Sequence, residues 1–475
     1  MTEVDIRHGD CLEVLRELPD NSVDSVVTDP PYGLSNTKPS QVADVLAAWV
    51  TGDTEAVPAK KGGFMGKDWD SFVPPPAVWA ECLRVLKPGG HMAVFAGART
   101  QDLMGLSIRL AGFEIRDTLG WIYGSGFPKS MDVSKAIDAT VLTGKSGSRS
   151  IREATDSREV IGTKMGLPGN SVGQKPGTYF SEAMAAEKGE DLSIRAERLG
   201  GSIVEGGHRR DLNITAPATP EAERWDGWGT ALKPAIEPII LARKPLVGTV
   251  AQNVLEHGVG GLNIDASRVG MSDGDREIVD NRSGAAADYD GEGWGKRGNY
   301  PEGRKFKSAP AGRFPANVLL DEHAATEMDK QSGVSKSPTG LITQGGDHFS
   351  TGSENKTRGT KFQGHGDSGG ASRFFPVFKY QAKAPKKERP VIEREDGTKV
   401  QHPTVKPVAL MEWLVTLITP EGGTTLDPFA GSGTTLQAAR DKGFKAIGIE
   451  QDGDYIQLIN ARLENTEENL FTTSN

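Results

Sequence analysis

The sequence predicts an α/β fold with a mostly parallel β-sheet that long insertions interrupt. Residues 1–135 alternate between amphipathic, helix-like segments and apolar, strand-like segments, and residues 391–475 show the same alternation. Open stretches rich in glycine, serine and charged residues separate these two regular parts. Alternation of this kind is typical of βαβ units, whose strands form a parallel sheet.

The N-terminal part is predicted to contain helices and strands in alternation. The helices end at Pro19, at Pro88-Gly89-Gly90 and near Gly112, which are residue types that stop a helix. The strands are short apolar runs, as expected for buried strands. In chain order the segments are CLEVLRELP (helix), SVDSVVTD (strand), AVWAECLRVLKPGG (helix), HMAVFAG (strand), QDLMGLSIRLAGF (helix) and EIRDTLGWIYG (strand).

The C-terminal part repeats this pattern. A predicted helix, KPVALMEWLVTLI, is followed by the strand TTLDPF, the glycine-containing segment AGSGTT, a helix that ends near Gly443, and the strand KAIGIE. The first of these helices places apolar residues on one face at helical spacing. These residues are Val408, Met411, Leu414, Val415 and Ile418.

The patterns divide the chain into five ranges. Residues 1–135 and 391–475 carry the regular α/β pattern, and residues 226–250 contain an apolar strand, EPIILARK, that returns to the sheet. Residues 136–225 are predicted to be an insertion, and residues 251–390 are predicted to be loop-rich except for RFPANVLLDEHAATEM, which has an ordered pattern.

Composition excludes several classes of protein. The two cysteines, Cys11 and Cys82, cannot form a disulfide framework, and neither lies in a cluster with metal-ligand spacing. No run of about 18 apolar residues is present, and the N-terminus is charged rather than signal-like. We therefore expect a soluble, cytoplasmic protein with no bound metal.

The net charge of −9 argues against general affinity for nucleic acid, but the charge is unevenly distributed. Residues 373–389 contain six basic residues and one acid, and residues 296–313 contain the same numbers. Trp294, Tyr300 and Phe306 lie in or near the second cluster. Such clusters either neutralise phosphates or are solvated loop charge.

The segment DPFAGSGTT, residues 427–435, predicts a strand, a glycine loop and the start of a helix. Gly431 and Gly433 allow a ligand to approach the backbone closely, and Glu450 follows at the end of the next strand, where it could bind ribose hydroxyls. The loop lacks the lysine of a phosphate-binding loop and the third glycine of a dinucleotide fingerprint. Asp427 would repel a pyrophosphate, whereas it suits a cationic ligand such as an adenosyl sulfonium.

Four segments together resemble the amino-methylating DNA methyltransferases. DPFAGSGTT resembles their cofactor-binding motif, TDPPYG their catalytic motif, HPTVKPVALMEWLV their motif X, and HGDCLEVL the segment near the cofactor adenine. The order is similar to that of the permuted β-group, and parts of the middle region are similar to relatives carried by phages. The resemblance implies a Rossmann-like, class I methyltransferase fold with a seven-stranded sheet, and S-adenosyl-L-methionine as methyl donor.

The resemblance identifies Asp29, Pro30, Pro31 and Tyr32 as the catalytic residues. The lone pair of an exocyclic amine is delocalised into the base, so methylation needs acceptors for the amino hydrogens. The Asp29 carboxylate and the Pro30 carbonyl are suited to that task. The two prolines make the backbone rigid, and the Tyr32 ring could stack on a base flipped out of the duplex.

The resemblance also implies a set of cofactor-binding residues. Asp10 and Cys11 would contact the adenine, Glu450 the ribose, and Asp427 the amino group of the methionine moiety. Thr404 and Lys406 would hold the methionine carboxylate, and His402 would orient the segment. The remaining loop residues would be Phe429, Gly431, Ser432, Gly433 and Thr434.

Several interpretations stay open on sequence grounds. Cys11 could be only the first residue of a helix, and Glu450 could be an ordinary acid at the end of a strand. Trp121 and Tyr123 alternate on one strand and could belong to the core or to the wall of a base pocket. Phe127 is a further candidate for that pocket.

The expected function is methylation of adenine N6 in double-stranded DNA, with residues 251–390 recognising the target. The alternatives are methylation of cytosine N4, amino methylation of RNA or protein, and a non-catalytic DNA-binding or antirestriction role. A nicotinamide dehydrogenase is disfavoured because of Asp427. A homodimer and a restriction endonuclease partner are both compatible with the resemblance, and no residue pattern indicates either.

Overall fold

The computed structural model describes most of the two terminal parts and selected parts of the middle of the chain. The described residues are 3–35, 37–58, 70–124, 130–145, 147, 150–151, 154–155, 158–164, 212–270, 312–336, 341–344, 360–363, 368–378, 389–394 and 396–472.

The chain divides into two compact units. The first unit contains Met1–Gly124, Ile236–Tyr380 and Ala384–Asn475, and the second contains Ser125–Ala235 and Gln381–Lys383. Both chain ends and the returning strand thus belong to one unit.

Strands occur throughout the described part of the chain. They are β1 (Val4–His8), β2 (Val23–Thr28), β3 (Leu86–Phe95), β4 (Glu114–Ile122), β5 (Val160–Lys164), β6 (Leu212–Thr215), β7 (Ile236–Arg243), β8 (Val318–Asp321), β9 (Ser335–Lys336), β10 (Leu341–Gln344), β11 (Thr360–Gln363), β12 (Ser368–Gly369), β13 (Val377–Phe378), β14 (Ile392–Glu393), β15 (Lys399–Val400), β16 (Thr424–Asp427) and β17 (Lys445–Glu450).

Helices lie between many of these strands, mainly in the two terminal parts of the chain. They are α1 (Cys11–Glu17), α2 (Pro39–Thr51), α3 (Pro76–Val85), α4 (Gln101–Leu110), α5 (Val133–Thr143), α6 (Pro220–Glu223), α7 (Val250–His257), α8 (Glu322–Ser332), α9 (Val408–Ile418), α10 (Thr434–Asp441) and α11 (Gly453–Thr472), with a 3₁₀ helix at Ala371–Phe374.

A nine-stranded sheet forms the first unit, with the order β1-β17-β16-β2-β3-β7-β4-β8-β13. Its neighbouring strands are parallel, except that β7 is antiparallel to both β3 and β4. The predicted α/β fold with a mostly parallel sheet is therefore confirmed. The predicted number of seven strands is wrong, because two short strands, β8 and β13, extend the sheet at one edge. Strand β8 lies in RFPANVLLDEHAATEM, the segment of the middle region that is predicted to be ordered.

The segment Pro88-Gly89-Gly90 lies inside a strand rather than in a turn after a helix. Helix α3 already ends at Val85, and β3 begins at Leu86. The pairing of β3 with β2 shifts register between Val23 and Ser25, and Gly89 has a φ of +77°. The strand accommodates Pro88-Gly89-Gly90, which the sequence predicts to end a helix, through this local irregularity.

The sheet is covered on both faces by apolar side chains. One core cluster includes Leu15 and Trp79, and the other includes Leu414 and Trp121. All five apolar residues predicted on one face of α9 are buried, and so are Leu410 and Leu417, which makes this helix buried on more than one side. Trp121 is 1% exposed, so the interpretation as a core residue holds for it.

The pairing of β16 with β2 brings the two ends of the chain together. Thr425 pairs with Ser25 and Leu426 with Val26 in a parallel register. Parallel neighbours end at the same edge of a sheet, so the residues that follow Thr28 and those that follow Leu426 meet there. Ligands bind in α/β proteins at this carboxyl edge.

The second unit contains a buried ion pair. Arg158 Nε donates to Asp138 Oδ2 at 2.5 Å, and both side chains are at most 1% exposed. The hydroxyl of Thr219 and the backbone N–H of Ala218 also donate to Asp138. These bonds fix α5 to the segment that follows β6, so the pair is structural.

Candidate active site

The segment Asp29 to Tyr32 leaves β2 at the carboxyl edge of the sheet. Strand β2 is buried along its whole length, and the two prolines that follow cannot donate backbone hydrogen bonds to continue it. The Tyr32 hydroxyl donates to Asp29 Oδ1 at 2.8 Å. The carboxylate of Asp29 is thus held beside the ring of Tyr32.

Lys406 lies at the centre of this cluster. Its Nζ is 2.8 Å from Asp29 Oδ2, 3.0 Å from the Tyr32 hydroxyl oxygen and 3.2 Å from Glu237 Oε2. Burial alone would lower the pKa of Lys406, but Asp29 and Glu237 more than offset this effect, so its pKa is raised. The resemblance places Lys406 at a cofactor carboxylate, whereas the structure places its ammonium group against these two acids.

The Tyr32 hydroxyl is kept protonated by the same surroundings. Burial raises the pKa of Tyr32 first, and the neighbouring charges of Asp29 and Glu237 raise it further. The hydroxyl therefore acts as a neutral hydrogen-bond donor and acceptor between the acids and Lys406.

Asp427 ends β16 and is almost completely buried. Its Oδ1 accepts hydrogen bonds from the Thr28 hydroxyl at 2.6 Å and from the backbone N–H of Phe429 at 3.1 Å. Burial raises the pKa of Asp427 to about 6, although hydrogen bonds from Thr28, Thr435 and Phe429 act in the opposite direction. The ionised form is therefore the main one above pH 6, and the hydrogen bonds hold it in a fixed orientation.

The glycine loop turns sharply between β16 and α10. Gly431 and Gly433 have φ angles of +53° and +78°, a conformation that residues with a side chain rarely adopt. A Cβ atom on Gly431 would lie 3.1 Å from His402 Nε2, and one on Gly433 would lie 3.0 Å from Ile459 Cγ2. Both glycines are therefore required by backbone conformation and by close packing.

Glu450 links the end of β17 to this loop. Its Oε2 accepts from the backbone N–H of Gly431 at 2.8 Å, and its Oε1 accepts from that of Asp452 at 2.9 Å. Burial raises the pKa of Glu450 to about 7, and these two backbone hydrogen bonds lower it in part.

Asp10 and Cys11 begin helix α1. The Asp10 carboxylate caps the helix by accepting from the backbone N–H groups of Leu12 at 2.9 Å and Glu13 at 3.3 Å. Burial, and then the charge of Asp10, raise the pKa of Cys11 to about 12, so this thiol is not ionised at neutral pH. Cys11 is both the first helical residue and part of a cavity wall.

His402 supports the segment that precedes α9. Its Nδ1 lies within hydrogen-bond distance of the Thr404 carbonyl oxygen, and its ring packs edge-on against the ring of Tyr455 at 4.7 Å between centroids. Burial lowers the pKa of His402, so its neutral form is favoured.

One cavity of about 940 Å³ joins these groups. Fifteen of the sixteen residues predicted for catalysis or cofactor binding line it; Gly433 does not. Among the described residues, the wall also contains a set that the motifs did not identify. Prominent members of this set are Phe72, Val73, Pro74, Val78, Glu237 and Tyr455.

The sequence indicates these additional wall residues only weakly. The run FVPPPAVW contains three consecutive prolines, two before α3 and one at its first position, which is a usable sign of a rigid wall. The place of Glu237 in the site could be recognised only from the direction of β7. This antiparallel strand starts at the edge of the sheet where its parallel neighbours end. Trp121 and Tyr123 are absent from this wall, and their rings pack together at 5.5 Å.

Some predicted features lie outside the described residues. These are Phe127 and most of both basic clusters, of which the structure describes only Arg313, Arg373 and Arg389. Arg373 and Arg313 lie over the ring of Phe374, at 4.3 Å and 5.3 Å from its centroid.

Two features are absent from the described ranges. No helix there is long and apolar enough to cross a membrane. Within the same ranges, no group of three or more His, Cys, Asp or Glu residues has an arrangement that could hold a metal ion.

Curated relatives match short stretches of the chain. The type II methyltransferase M.ScaI of Streptomyces caespitosus is 38% identical over 79 residues, which are 17% of this chain and 26% of the relative. The type II methyltransferase M2.DpnII of Streptococcus pneumoniae is 44% identical over 64 residues, which are 14% of this chain and 24% of the relative. The matched stretches thus span about a quarter of each relative.

Solved structures align over most of the chain but with low scores. The putative DNA modification methylase TTHA0409 of Thermus thermophilus has a TM-score of 0.33 and 15% identity, over 96% of this chain and 92% of its own. The cytosine-N4-specific PvuII DNA methyltransferase has a TM-score of 0.38 and 12% identity, over 97% and 87%. These TM-scores are too low to establish a shared fold on their own.

The family comparison covers much more of the sequence. The model of the N6/N4 DNA methylase family matches residues 23–461, which include both the Asp29 segment and the glycine loop. The chain therefore belongs to the N6/N4 DNA methylase family.

Proposed function

We propose that the protein is an S-adenosyl-L-methionine-dependent DNA methyltransferase that methylates the N6 amino group of adenine in duplex DNA. The observation that carries this proposal is the shared cavity. Asp29 and Pro30 lie on its wall together with Asp427, Glu450 and the glycine loop. A pair of acceptors suited to an amino group thus adjoins a pocket suited to a nucleoside.

The cavity residues fit the proposed methyl donor. A cavity of about 940 Å³ is large enough for a ligand of this size. Glu450 would accept from ribose hydroxyls, Asp427 would face the cationic end, and Asp10, Cys11 and Phe429 would surround the adenine. When bound, S-adenosyl-L-methionine supplies an electrophilic methyl group attached to a sulfonium.

The chain's own residues prepare the amino group. The Asp29 carboxylate and the Pro30 carbonyl accept its two hydrogens, which directs the nitrogen lone pair away from the base ring. The same acceptors stabilise the positive charge that develops on the nitrogen, until a proton leaves to water. The Tyr32 ring would stack on the flipped base, which is worth about 1–3 kcal/mol.

Adenine is proposed as the target because Asp-Pro-Pro-Tyr resembles the catalytic motif that favours it. Cytosine presents a similar amino group beside a ring nitrogen, so N4 methylation is the competing outcome. We assign target recognition to residues 251–390. Its basic residues are proposed to contact phosphates, so affinity for duplex DNA should fall steeply as salt is raised.

Transfer of a labelled methyl group tests the proposal. The full chain, tritiated S-adenosyl-L-methionine and unmethylated duplex DNA should give labelled DNA, whereas RNA and protein acceptors should stay unlabelled. Asp29→Ala should abolish the labelling. Labelled RNA or protein with unlabelled DNA would overturn the proposal.

A further inference from the structure

Glu237 is an acid in the candidate active site that no motif accounts for. It lies near the start of β7, opposite Trp121 of β4. Because β7 is antiparallel to its neighbours, its first residues reach the carboxyl edge of the sheet, where Asp29 lies. The Glu237 side chain is 23% exposed and lines the cavity.

The contacts of Glu237 converge on Lys406 and Tyr32. Glu237 Oε2 is 3.2 Å from Lys406 Nζ, and the Tyr32 hydroxyl is 3.4 Å from the same oxygen. A lysine ammonium group has three hydrogens to donate. Asp29, Tyr32 and Glu237 provide one acceptor for each of them, so Lys406 is held by three partners.

The charges in this cluster decide what Glu237 contributes. Asp29 and Lys406 alone would form a neutral pair, and the carboxylate that must face the substrate amino group would be neutralised. Glu237 adds a second negative charge, so the three ionised groups together carry a net charge of −1. During transfer the amino nitrogen forms a bond to the methyl carbon, and the pair of the broken carbon–sulfur bond stays on sulfur. The nitrogen becomes positive at that moment.

We propose that Glu237 is a positioning residue: it holds Lys406 and keeps the amino-group pocket negatively charged, which stabilises the cation formed during transfer. This inference rests on the proposed function. Glu237 acts through Lys406 and Asp29, so its loss should slow methyl transfer without weakening cofactor binding.

A glutamate on a neighbouring strand provides a matched control. Glu114 of β4 pairs with Arg243 of β7 at 2.6 Å, at the opposite end of the two strands from Glu237. It therefore takes part in the same kind of carboxylate–cation contact, away from the cavity. Glu114→Gln should leave methyl transfer unchanged.

The first experiment measures methyl transfer to unmethylated plasmid DNA by the full chain. Glu237→Gln keeps the shape of the side chain and removes its charge, and should lower kcat about tenfold or more, while KM for S-adenosyl-L-methionine changes less than about twofold. Adding Lys406→Met to Glu237→Gln restores a net charge of −1. This double variant should therefore be faster, at saturating cofactor, than Glu237→Gln alone.

The second experiment needs neither cofactor nor DNA. Lys406→Met alone leaves Asp29 and Glu237 as neighbouring carboxylates without a cation, so its Tm should be lower than that of Lys406→Met/Glu237→Gln. The wild type, the two single variants and the double variant form a thermodynamic cycle, and additive changes in Tm across it would overturn the proposal. A wild-type kcat in Glu237→Gln would overturn it too, and so would a defect that affects only KM for the cofactor. If the wild-type chain methylates no DNA, the proposed function fails, and the Tm cycle still decides whether Glu237 holds Lys406.

Discussion

The hydroxyl of Thr28 donates a 2.6 Å hydrogen bond to Asp427 Oδ1, across 399 positions of sequence. Thr28 is the last residue of β2, and Asp427 is the last residue of β16. This bond joins the segment that carries the proposed acceptors to the segment that carries the glycine loop. The two halves of the candidate active site are therefore in direct contact.

Removal of that hydroxyl should destabilise the protein in a pH-dependent way. Thr28→Val leaves the buried Asp427 carboxylate without one donor, which should cost about 1–3 kcal/mol in the free energy of unfolding at pH 7.5. The bond favours the ionised form, and the pKa of Asp427 is about 6, so the cost should be smaller at pH 5. Urea unfolding at both pH values measures this difference. Thr28→Ser keeps the hydroxyl and serves as the control. An equal loss of unfolding free energy in Thr28→Ser would show that the hydroxyl is not the cause.

Glu450 should make the stability of the protein depend on pH below neutrality. Burial raises its pKa from 4.5 to about 7, so the folded protein binds this proton more tightly than the unfolded chain. Its contribution to stability is complete below pH 4.5 and is lost as the pH rises to about 7. Glu450→Gln removes this titration. From pH 6 to pH 7, the free energy of unfolding measured with urea should fall by up to about 1 kcal/mol more in the wild type than in the variant. If it changes equally with pH in both proteins, Glu450 does not have a raised pKa.

The glycine loop should tolerate a methyl group poorly at Gly433. Both Gly433 and Gly443 have positive φ angles, so alanine costs about 1–2 kcal/mol in backbone conformation at either position. Only Gly433 has a close neighbour, since its Cβ would lie 3.0 Å from Ile459 and nothing lies within 4 Å at Gly443. Gly433→Ala should therefore lower the free energy of unfolding by about 1 kcal/mol more than Gly443→Ala. Equal losses of unfolding free energy in the two variants would show that the contact with Ile459 does not contribute to the cost of alanine at Gly433.

Much of the candidate site could be predicted from the sequence because its residues lie in short, local motifs. The rigid Asp-Pro-Pro-Tyr segment and the glycine loop each follow an apolar strand, and parallel strands end at a common edge. That logic places Asp29 and Asp427 at the same edge of the sheet. Their grouping in one site follows from the family resemblance, because a shared edge does not determine that β2 and β16 are neighbours.

Other features depend on tertiary structure and could not be predicted in this way. Glu237 reaches the site only because β7 runs against its neighbours, and a single acid in an apolar run carries no signal of direction. The register shift at Pro88-Gly89-Gly90 depends on pairing with β2, so local propensity suggested a turn. Strand β8 is only four residues long, which is too short for a periodic pattern.

The identity of the methylated nucleoside shows whether this protein methylates adenine N6 through Asp29. Duplex DNA incubated with the protein and S-adenosyl-L-methionine is digested to nucleosides and analysed by mass spectrometry, with Asp29→Ala as the control. We expect N6-methyldeoxyadenosine with the wild type and none with Asp29→Ala. N4-methyldeoxycytidine alone, or an equal yield from Asp29→Ala, would contradict this expectation.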